Sequence, residues 1–301
     1  MPHPTRDTTA GRIYNDLRNL ARRTGTSTDQ VMLEYLLERF LYRLSTHPLG
    51  GQHFVLKGGL LLAQFGARRI TRDIDILGRA FPDDEQEIIR RITQIAATHV
   101  DDGVTFHSDT LTTVPIRQDD EYHGLRLAMS ATLSRARLKL QLDVSFGDPI
   151  TPAPTLIEYP QSLGDGTFTL YGYPIATVIA EKLSTAIALG DLNTRDRDYA
   201  DLHQLITRHH LNGNELTTAL HNTAEHRGIK LHPLSKAISD LPTRRQAPYT
   251  AWRRRQGDAA RNHPESFAEI VATVTSFADP LVAGAAHALT WNPDDRAWQP
   301  V

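Results

Sequence analysis

Two aspartates one residue apart, Asp73 and Asp75, close the run Arg68-Arg69-Ile70-Thr71-Arg72-Asp73-Ile74-Asp75. On a strand, the two-residue side-chain period sets both carboxylates on one face and turns Ile74 and Ile76 to the core. Carboxylates so close repel unless a cation or a proton lies between them. Oxygen ligands at that spacing suit Mg²⁺, which takes one or two carboxylates plus substrate phosphates. Asp143, on a polar strand face further along, offers a third carboxylate. Three aspartates on adjacent strands would hold two metals about 4 Å apart, the arrangement used for in-line phosphoryl displacement. The plainer reading is a pair of solvated aspartates on an exposed sheet face, because Asp-x-Asp recurs by chance.

Upstream stands Lys57-Gly58-Gly59 at the end of a strand-like run. Glycines let backbone approach a phosphate closely, and the first N–H groups of a following helix attract anions. Gly-Gly after one strand and Asp-x-Asp on the next are together far more specific than either alone. Arg68, Arg69 and Arg72 add local positive charge, and the Thr71 hydroxyl shares the face of the aspartates. Phosphorylation of Thr71 would place about two negative charges there and block a nucleotide; a fully active Thr71→Glu variant would count against this. Neither Gly-x-x-x-x-Gly-Lys nor Gly-x-Gly-x-x-Gly occurs.

Further on, Lys182 falls inside the apolar stripe Ile175, Val178, Ile179, Leu183, Ala186, Ile187. A buried ammonium is costly without an anion; alternatively its stem packs and its head reaches water. Glu181 faces outward, into solvent. Asp198 and Asp201 open the next helix, where the helix dipole favours acids; Asp198 is also placed to orient Lys182 or Arg195, while Asp201 stays open between the two roles. The segment Thr243–Asn262 holds Arg244, Arg245, Arg253, Arg254, Arg255 and Arg261 against the single acid Asp258, with Tyr249 and Trp252 interleaved. Arginines among aromatics can hold an RNA backbone and stack bases, although basic clusters are more often solvated faces.

The elements that must position these residues follow from periodicity. The first fifty residues read as helices: Ser27 and Gln30 form a capping box, followed by the stripe Leu33, Leu36, Leu37, Phe40, Leu41, Leu44. From Gln52 to about Tyr171 the pattern alternates. Strands are expected at His53–Lys57, Arg72–Leu77, Leu111–Ile116, Leu125–Leu133 and Arg137–Phe146, with helices beginning at Leu60 and spanning Asp83–His99. Beyond Pro174 the chain reads as helical to its end, with helices at about Pro174–Leu189, Arg195–Thr207, Asn214–Arg227 and Pro264–Phe277, and a loop at Leu231–Thr250. Trp291 and Trp298 dock the tail. The layout is α/β: a helical segment over residues 1–50, a mixed-sheet core over 51–172 and a helical lobe over 173–301.

Length and composition agree. At roughly 150 residues per domain, 301 residues make one large domain or two modest ones. With 40% hydrophobic and 23% charged residues the chain is an ordinary globular one. A formal net charge of -2 means that any basic site is local. Cysteine is absent, which excludes disulfides, thiolate nucleophiles and zinc fingers and fits a reducing cytoplasm. The fourteen histidines show no zincin or deaminase pattern. The start, Met-Pro-His-Pro-Thr-Arg-Asp, lacks a signal-peptide core, and no apolar run approaches the roughly 18 residues of a membrane span. A cytoplasmic protein is expected.

The constellation resembles the AbiEii/AbiGii toxin nucleotidyltransferases, a branch of the polymerase-β-like superfamily. The matching residues are Lys57-Gly58-Gly59, Arg69-x-Thr71-x-Asp73-Ile74-Asp75, Leu142-Asp143-Val144-Ser145-Phe146-Gly147-Asp148, Glu181-Lys182-Leu183 and Arg197-Asp198-Tyr199-x-Asp201-Leu202, in order across residues 57–202. Relatives often carry lysine where Arg197 stands; charge is kept, though the geometry differs. The resemblance implies a polymerase-β-like core, a site between core and carboxy-terminal lobe, and a toxin that moves a nucleotide from an NTP to tRNA 3′ ends, blocking aminoacylation and translation. It implies Asp73, Asp75, Lys182 and Asp198 as catalytic, with Lys182 neutralising the leaving pyrophosphate. Asp73, Asp75 and Asp143 would bind Mg²⁺, or Mn²⁺ in its place. Lys57, Gly58, Gly59, Arg69, Thr71, Arg195 and Arg197 would bind nucleotide. Arg244, Arg245, Trp252, Arg253, Arg254 and Arg255 become the candidate tRNA surface, and an antitoxin encoded nearby the expected partner. Two rivals are nucleotidylation of a protein hydroxyl by the same chemistry and a non-catalytic nucleotide-binding module.

Overall fold

A computed structural model describes residues 5–67, 69–118 and 121–300. Arg68 lies outside the described residues. The chain divides into two compact units: residues 1–60, 71–147 and 156–172 form one, and residues 61–70, 148–155 and 173–301 the other.

The first unit is built on a seven-stranded mixed sheet ordered β3-β4-β5-β2-β1-β7-β6. Its strands are β1 (Phe54–Lys57), β2 (Ile74–Gly78), β3 (Val104–Gln118), β4 (Glu121–Leu133), β5 (Ala136–Phe146), β6 (Thr155–Pro160) and β7 (Thr167–Gly172). β2 lies parallel to β5 and antiparallel to β1, and β4 antiparallel to β5. Alternation is visible in the burial of β5: Leu140, Leu142 and Val144 are buried, while Asp143 and Ser145 stand on the more open face. Helices α1 (Thr9–Thr24), α2 (Thr28–Thr46) and α4 (Glu85–Ala96) belong to this unit. Ser27 caps α2 by accepting the Gln30 N–H at 3.2 Å.

The stripe of α2 packs as its spacing predicts, with Leu36, Leu37, Phe40 and Leu41 fully buried. Each such side chain removed from water contributes about 1.5–3 kcal/mol. The helix is also buried on its polar side, which spacing did not suggest. Arg43 makes a two-pronged ion pair to Asp102 (2.5 and 3.1 Å), and Glu38 accepts the Ser162 N–H at 2.6 Å and pairs with Arg39 at 2.7 Å.

Between Lys57 and Gly66 the expected helix shrinks. One α turn, α3 (Gly58–Leu61), passes into a 3-10 turn (Leu62–Phe65) that ends at Gly66, φ +67°. So short an element gives little dipole to an anion.

The second unit contains α5 (Ile175–Leu189), α6 (Asp196–Ile206), α7 (Gly213–His226), α8 (Leu234–Ala237), α9 (Leu241–Arg255) and α10 (Phe267–Val282). Two expectations fail here. The segment 231–250 is not a loop: Pro242 occupies the first turn of α9, where a missing N–H costs nothing, and Leu241 and Tyr249 anchor the helix by burial. Nor does the chain stay helical to its end. Strands β8 (Leu211–Asn212), β9 (Leu289–Asn292) and β10 (Ala297–Pro300) form a second sheet ordered β10-β9-β8. Trp291 and Trp298 dock it, donating indole N–H bonds to the carbonyls of Ile206 (2.7 Å) and Phe277 (3.1 Å). Among the described residues, no helix is long and apolar enough to cross a membrane.

Candidate active site

In the first unit, strand register brings four charged residues into one row across β4, β5, β2 and β1. Arg126 pairs with Asp143, Asp143 with Asp75, and Asp75 with Lys57. Neighbouring strands lie about 4.8 Å apart, so the two carboxylates sit side by side between two cations. Asp73 precedes β2 and joins them: single carboxylate oxygens of Asp73, Asp75 and Asp143 all lie within 4.8 Å of one another. All three are half-buried.

Each carboxylate is held. The Thr71 hydroxyl, itself buried, donates to Asp73 Oδ1 at 3.0 Å. Asp143 accepts both prongs of the Arg126 guanidinium, Nε to Oδ1 at 2.7 Å and Nη2 to Oδ2 at 2.6 Å. The hydrogen bond to Asp143, with the charges of Asp143, Asp73 and Asp75 behind it, pushes the Arg126 pKa up. Arg126 was not singled out by sequence; it reads as one more polar residue between Leu125 and Leu127, and only the register of β4 on β5 gives it significance. Gly58 backs Asp75 so closely that a Cβ there would meet its carboxylate. Gly59 is buried and Arg72 exposed.

The residues fit a hard divalent cation on three counts. The donors are all carboxylate oxygens, the ligand type such ions take. The missing side chain at Gly58 leaves room for the Asp75 carboxylate to sit in the cluster. The three negative charges lie together at half-buried positions, where a cation between them offsets their repulsion.

The second unit carries a different charged group. Lys182 Nζ donates to Asp198 Oδ1 and to Asp201 Oδ2, both at 2.8 Å. Arg195 meets the other oxygen of Asp198 at 2.6 Å, and Arg69 Nε bonds both Asp201 oxygens at 3.0 and 3.2 Å. Lys182, Arg195 and Arg69 thus converge on these two carboxylates. Burial would lower the Lys182 pKa, but the Asp198 and Asp201 charges outweigh it and raise it. Burial likewise opposes ionisation of Asp198, yet the charges of Lys182 and Arg195 bring it down to about 2. The Lys182 head is therefore paired in the interior and does not reach out to water. Asp201, left open by sequence, is the more buried of its two partners, at 2% side-chain exposure against 6%. Arg69 faces α6, and the Gln256 side chain fixes the neighbouring Ile70 N–H at 3.3 Å. Glu181 is paired and not merely solvated: it accepts from Arg227 at 2.9 Å, because α7 brings that arginine to α5. Arg197 is exposed.

The arginine-rich segment folds as α9 and its continuation. Arg245 makes two 2.7 Å bonds to Asp196, Arg253 donates to the His263 carbonyl at 2.9 Å, and Arg244 donates to the Asp191 carbonyl. Arg244, Arg254 and Arg255 are exposed. The aromatics are not an open stacking platform. Tyr249 is fully buried, with its hydroxyl on the Pro264 carbonyl, and Trp252 packs edge-on against His263, centroids 4.9 Å apart.

Comparison with known proteins gives one family match, to the model described as "Nucleotidyl transferase AbiEii toxin, Type IV TA system", over residues 39–273. Among solved structures, JHP933 from Helicobacter pylori is similar at 16% identity and a TM-score of 0.50, over 86% of this chain and 94% of that one. A provisionally assigned nucleotidyltransferase from H. pylori aligns at 15% identity and a TM-score of 0.48, over 86% of this chain and 97% of its own. No curated protein matches. The first likeness is one of fold.

Proposed function

The chain belongs to the AbiEii nucleotidyl transferase toxin family, nucleotidyltransferases of toxin–antitoxin systems, and from that premise we propose that it adds nucleotides from an NTP to the 3′ end of tRNA with Mg²⁺ as cofactor. In this reaction the terminal 3′-hydroxyl oxygen bonds to the α-phosphorus, releasing pyrophosphate and the hydroxyl proton. The tRNA so extended is closed to aminoacylation, and translation stops. The reading places the protein in the cytoplasm and gives it an antitoxin encoded nearby.

The observation that supports it best is the convergence of carboxylate oxygens of Asp73, Asp75 and Asp143 within 4.8 Å of one another, two of them on adjacent strands and Asp73 just before β2. A divalent cation on these carboxylates would neutralise phosphate charge and acidify the attacking hydroxyl; Mn²⁺ would serve in place of Mg²⁺. Thr71 orients Asp73, and Arg126 fixes the plane of Asp143. The backbone at Gly58 and Gly59, with Lys57 beside them, is proposed to approach the phosphates. Lys182, beside Arg195 and Arg69, is proposed to balance the charge of the departing pyrophosphate, and Asp198 to hold its head in place. Arg197, exposed at the start of α6, is proposed to reach the nucleotide from there.

The test uses purified protein and Asp75→Ala, each incubated with total tRNA, Mg²⁺ and the four α-labelled NTPs in turn. Label entering tRNA with the intact protein alone is the expected result, and it names the preferred base. Label on protein instead overturns the tRNA acceptor. Label in neither, with NTP still bound, overturns catalytic transfer in favour of a binding module.

A further inference from the structure

The Arg126–Asp143 pair carries a consequence for how the three-aspartate cluster takes its cation. Both oxygens of Asp143 are engaged by one guanidinium, at 2.7 and 2.6 Å. The same guanidinium lies within electrostatic reach of Asp73 and Asp75. Register makes this a fixed arrangement: Arg126 stands directly opposite Asp143, and Asp143 directly beside Asp75. Asp143 is mostly shielded, at 17% side-chain exposure, whereas Arg126 is open at 46%. The carboxylate is therefore anchored by its strand and the guanidinium has water to move into.

A carboxylate whose two oxygens both accept from one guanidinium has part of its charge already neutralised and is a weaker donor to a metal ion. A guanidinium this close also repels an incoming divalent cation. Three carboxylates packed together without any cation would in turn repel one another, so the arginine stabilises the cluster before the metal arrives. Resting on the reading of Asp73, Asp75 and Asp143 as the metal ligands, we propose that Arg126 is the built-in counter-ion of the site: it holds Asp143 in place while the cluster is empty, and a divalent cation binds by displacing it from at least one Asp143 oxygen. Arg126 is in this sense a positioning residue whose ion pair competes with the cofactor.

The sign of one measurement separates this from a purely structural pair. If Arg126 only supported the fold, removing it would loosen the ligands and weaken metal binding or leave it unchanged. If it competes, removal tightens binding. Titration calorimetry of the full chain with Mn²⁺ and with Mg²⁺, in wild type, Arg126→Gln and Arg126→Ala, is expected to show about tenfold tighter binding in both variants. The same variants without metal should melt earlier than wild type, and added metal should recover more of the loss than wild type gains. Arg126→Gln keeps the bulk of the side chain and answers the question if the alanine variant does not fold. In an Asp143→Asn background the Arg126→Gln change should no longer raise affinity. Equal or weaker binding in Arg126→Gln, with normal binding in wild type, overturns the counter-ion proposal alone. Absence of binding in wild type overturns the metal reading beneath it.

Discussion

Gly58 and Asp75 pack so tightly that a side chain at position 58 would have to displace the Asp75 carboxylate. A Cβ built there would run into Asp75 Oδ2 and lie 2.5 Å from its Cγ. Gly58 also has φ +67°, a conformation that glycine alone adopts without strain. The glycine of the Lys57-Gly58-Gly59 motif thus has a reason that precedes any phosphate: it gives the middle carboxylate of the cluster its place.

Gly58→Ala is expected to displace the Asp75 carboxylate and abolish label transfer while the fold survives. Left-handed strain of this kind costs about 1–3 kcal/mol, and the half-buried setting lets the side chain rotate away. Urea unfolding should show that loss, and Mn²⁺ titration should show weakened binding. A variant with intact metal affinity would mean that Asp75 reaches the cation from another rotamer.

The two partners of Lys182 are expected to differ in worth. Asp198 shares its second oxygen with Arg195, which is 49% exposed and can turn to water when released. Asp201 shares its charge with Arg69, which is only 10% exposed. Asp201→Asn therefore takes the bidentate carboxylate from a shielded arginine, whereas Asp198→Asn releases one that can turn to water; Lys182 keeps one carboxylate in either variant. Breaking a buried pair from one side costs about 3–5 kcal/mol, so Asp201→Asn should fall in that range and Asp198→Asn below it. Chemical denaturation of both variants checks the order; the reverse order would mean that Arg69 finds a replacement partner.

Much of this was legible in residue type and spacing, for reasons that also mark the limit. The strand carrying Asp143 alternates cleanly because one of its faces is buried, and the helix of Lys182 shows an apolar stripe although it is covered on more than that side. Arg126 was not legible: its role depends on which residue of β5 it faces, and register is a property of two strands together. Arg69 and Asp201 meet across 132 positions of chain, so no local pattern announces them. The misread loop at 231–250 came from reading prolines as breakers where one begins a helix. The strands β9 and β10 are four residues each, too short for alternation to stand out.

Acid should destabilise the second unit through two histidines before it reaches the carboxylates. His203 and His263 are 5% and 2% exposed, and burial pushes both down to about 4, with nearby arginine charges adding to it. The unfolded chain binds these protons near pH 6.5. Because the folded values are the lower ones, their stabilisation is complete above pH 6.5 and is lost as pH falls toward 4, by up to a few kcal/mol. Asp198, held to about 2, keeps its contribution to below pH 4. Urea midpoints measured from pH 7.5 to 4.5 should decline throughout this window. A flat profile would show that the two rings take up protons in the folded protein as readily as in the unfolded chain.

The arginines of α9 should divide into two classes that one experiment can tell apart. Arg245 is bound at both prongs to Asp196, a carboxylate only 9% exposed. Removing it strands that charge, so Arg245→Ala should cost about 1–3 kcal/mol, less than a fully buried pair because Arg245 is itself 20% exposed. Arg254 and Arg255 are exposed at the end of the same helix, and reversing both to Glu should change stability by no more than about 1 kcal/mol. If this face holds tRNA, the reversal weakens tRNA binding and lowers its dependence on salt by roughly one unit of log–log slope for each phosphate no longer held, with NTP affinity unchanged. Because Tyr249 is buried and Trp252 packed against His263, the weakening should be of backbone attraction, equal for all tRNA sequences. A reversal that leaves the salt slope untouched makes this a solvated face, and the acceptor must then be held elsewhere. A fall in NTP affinity would instead show that the helix supports the nucleotide and not the RNA.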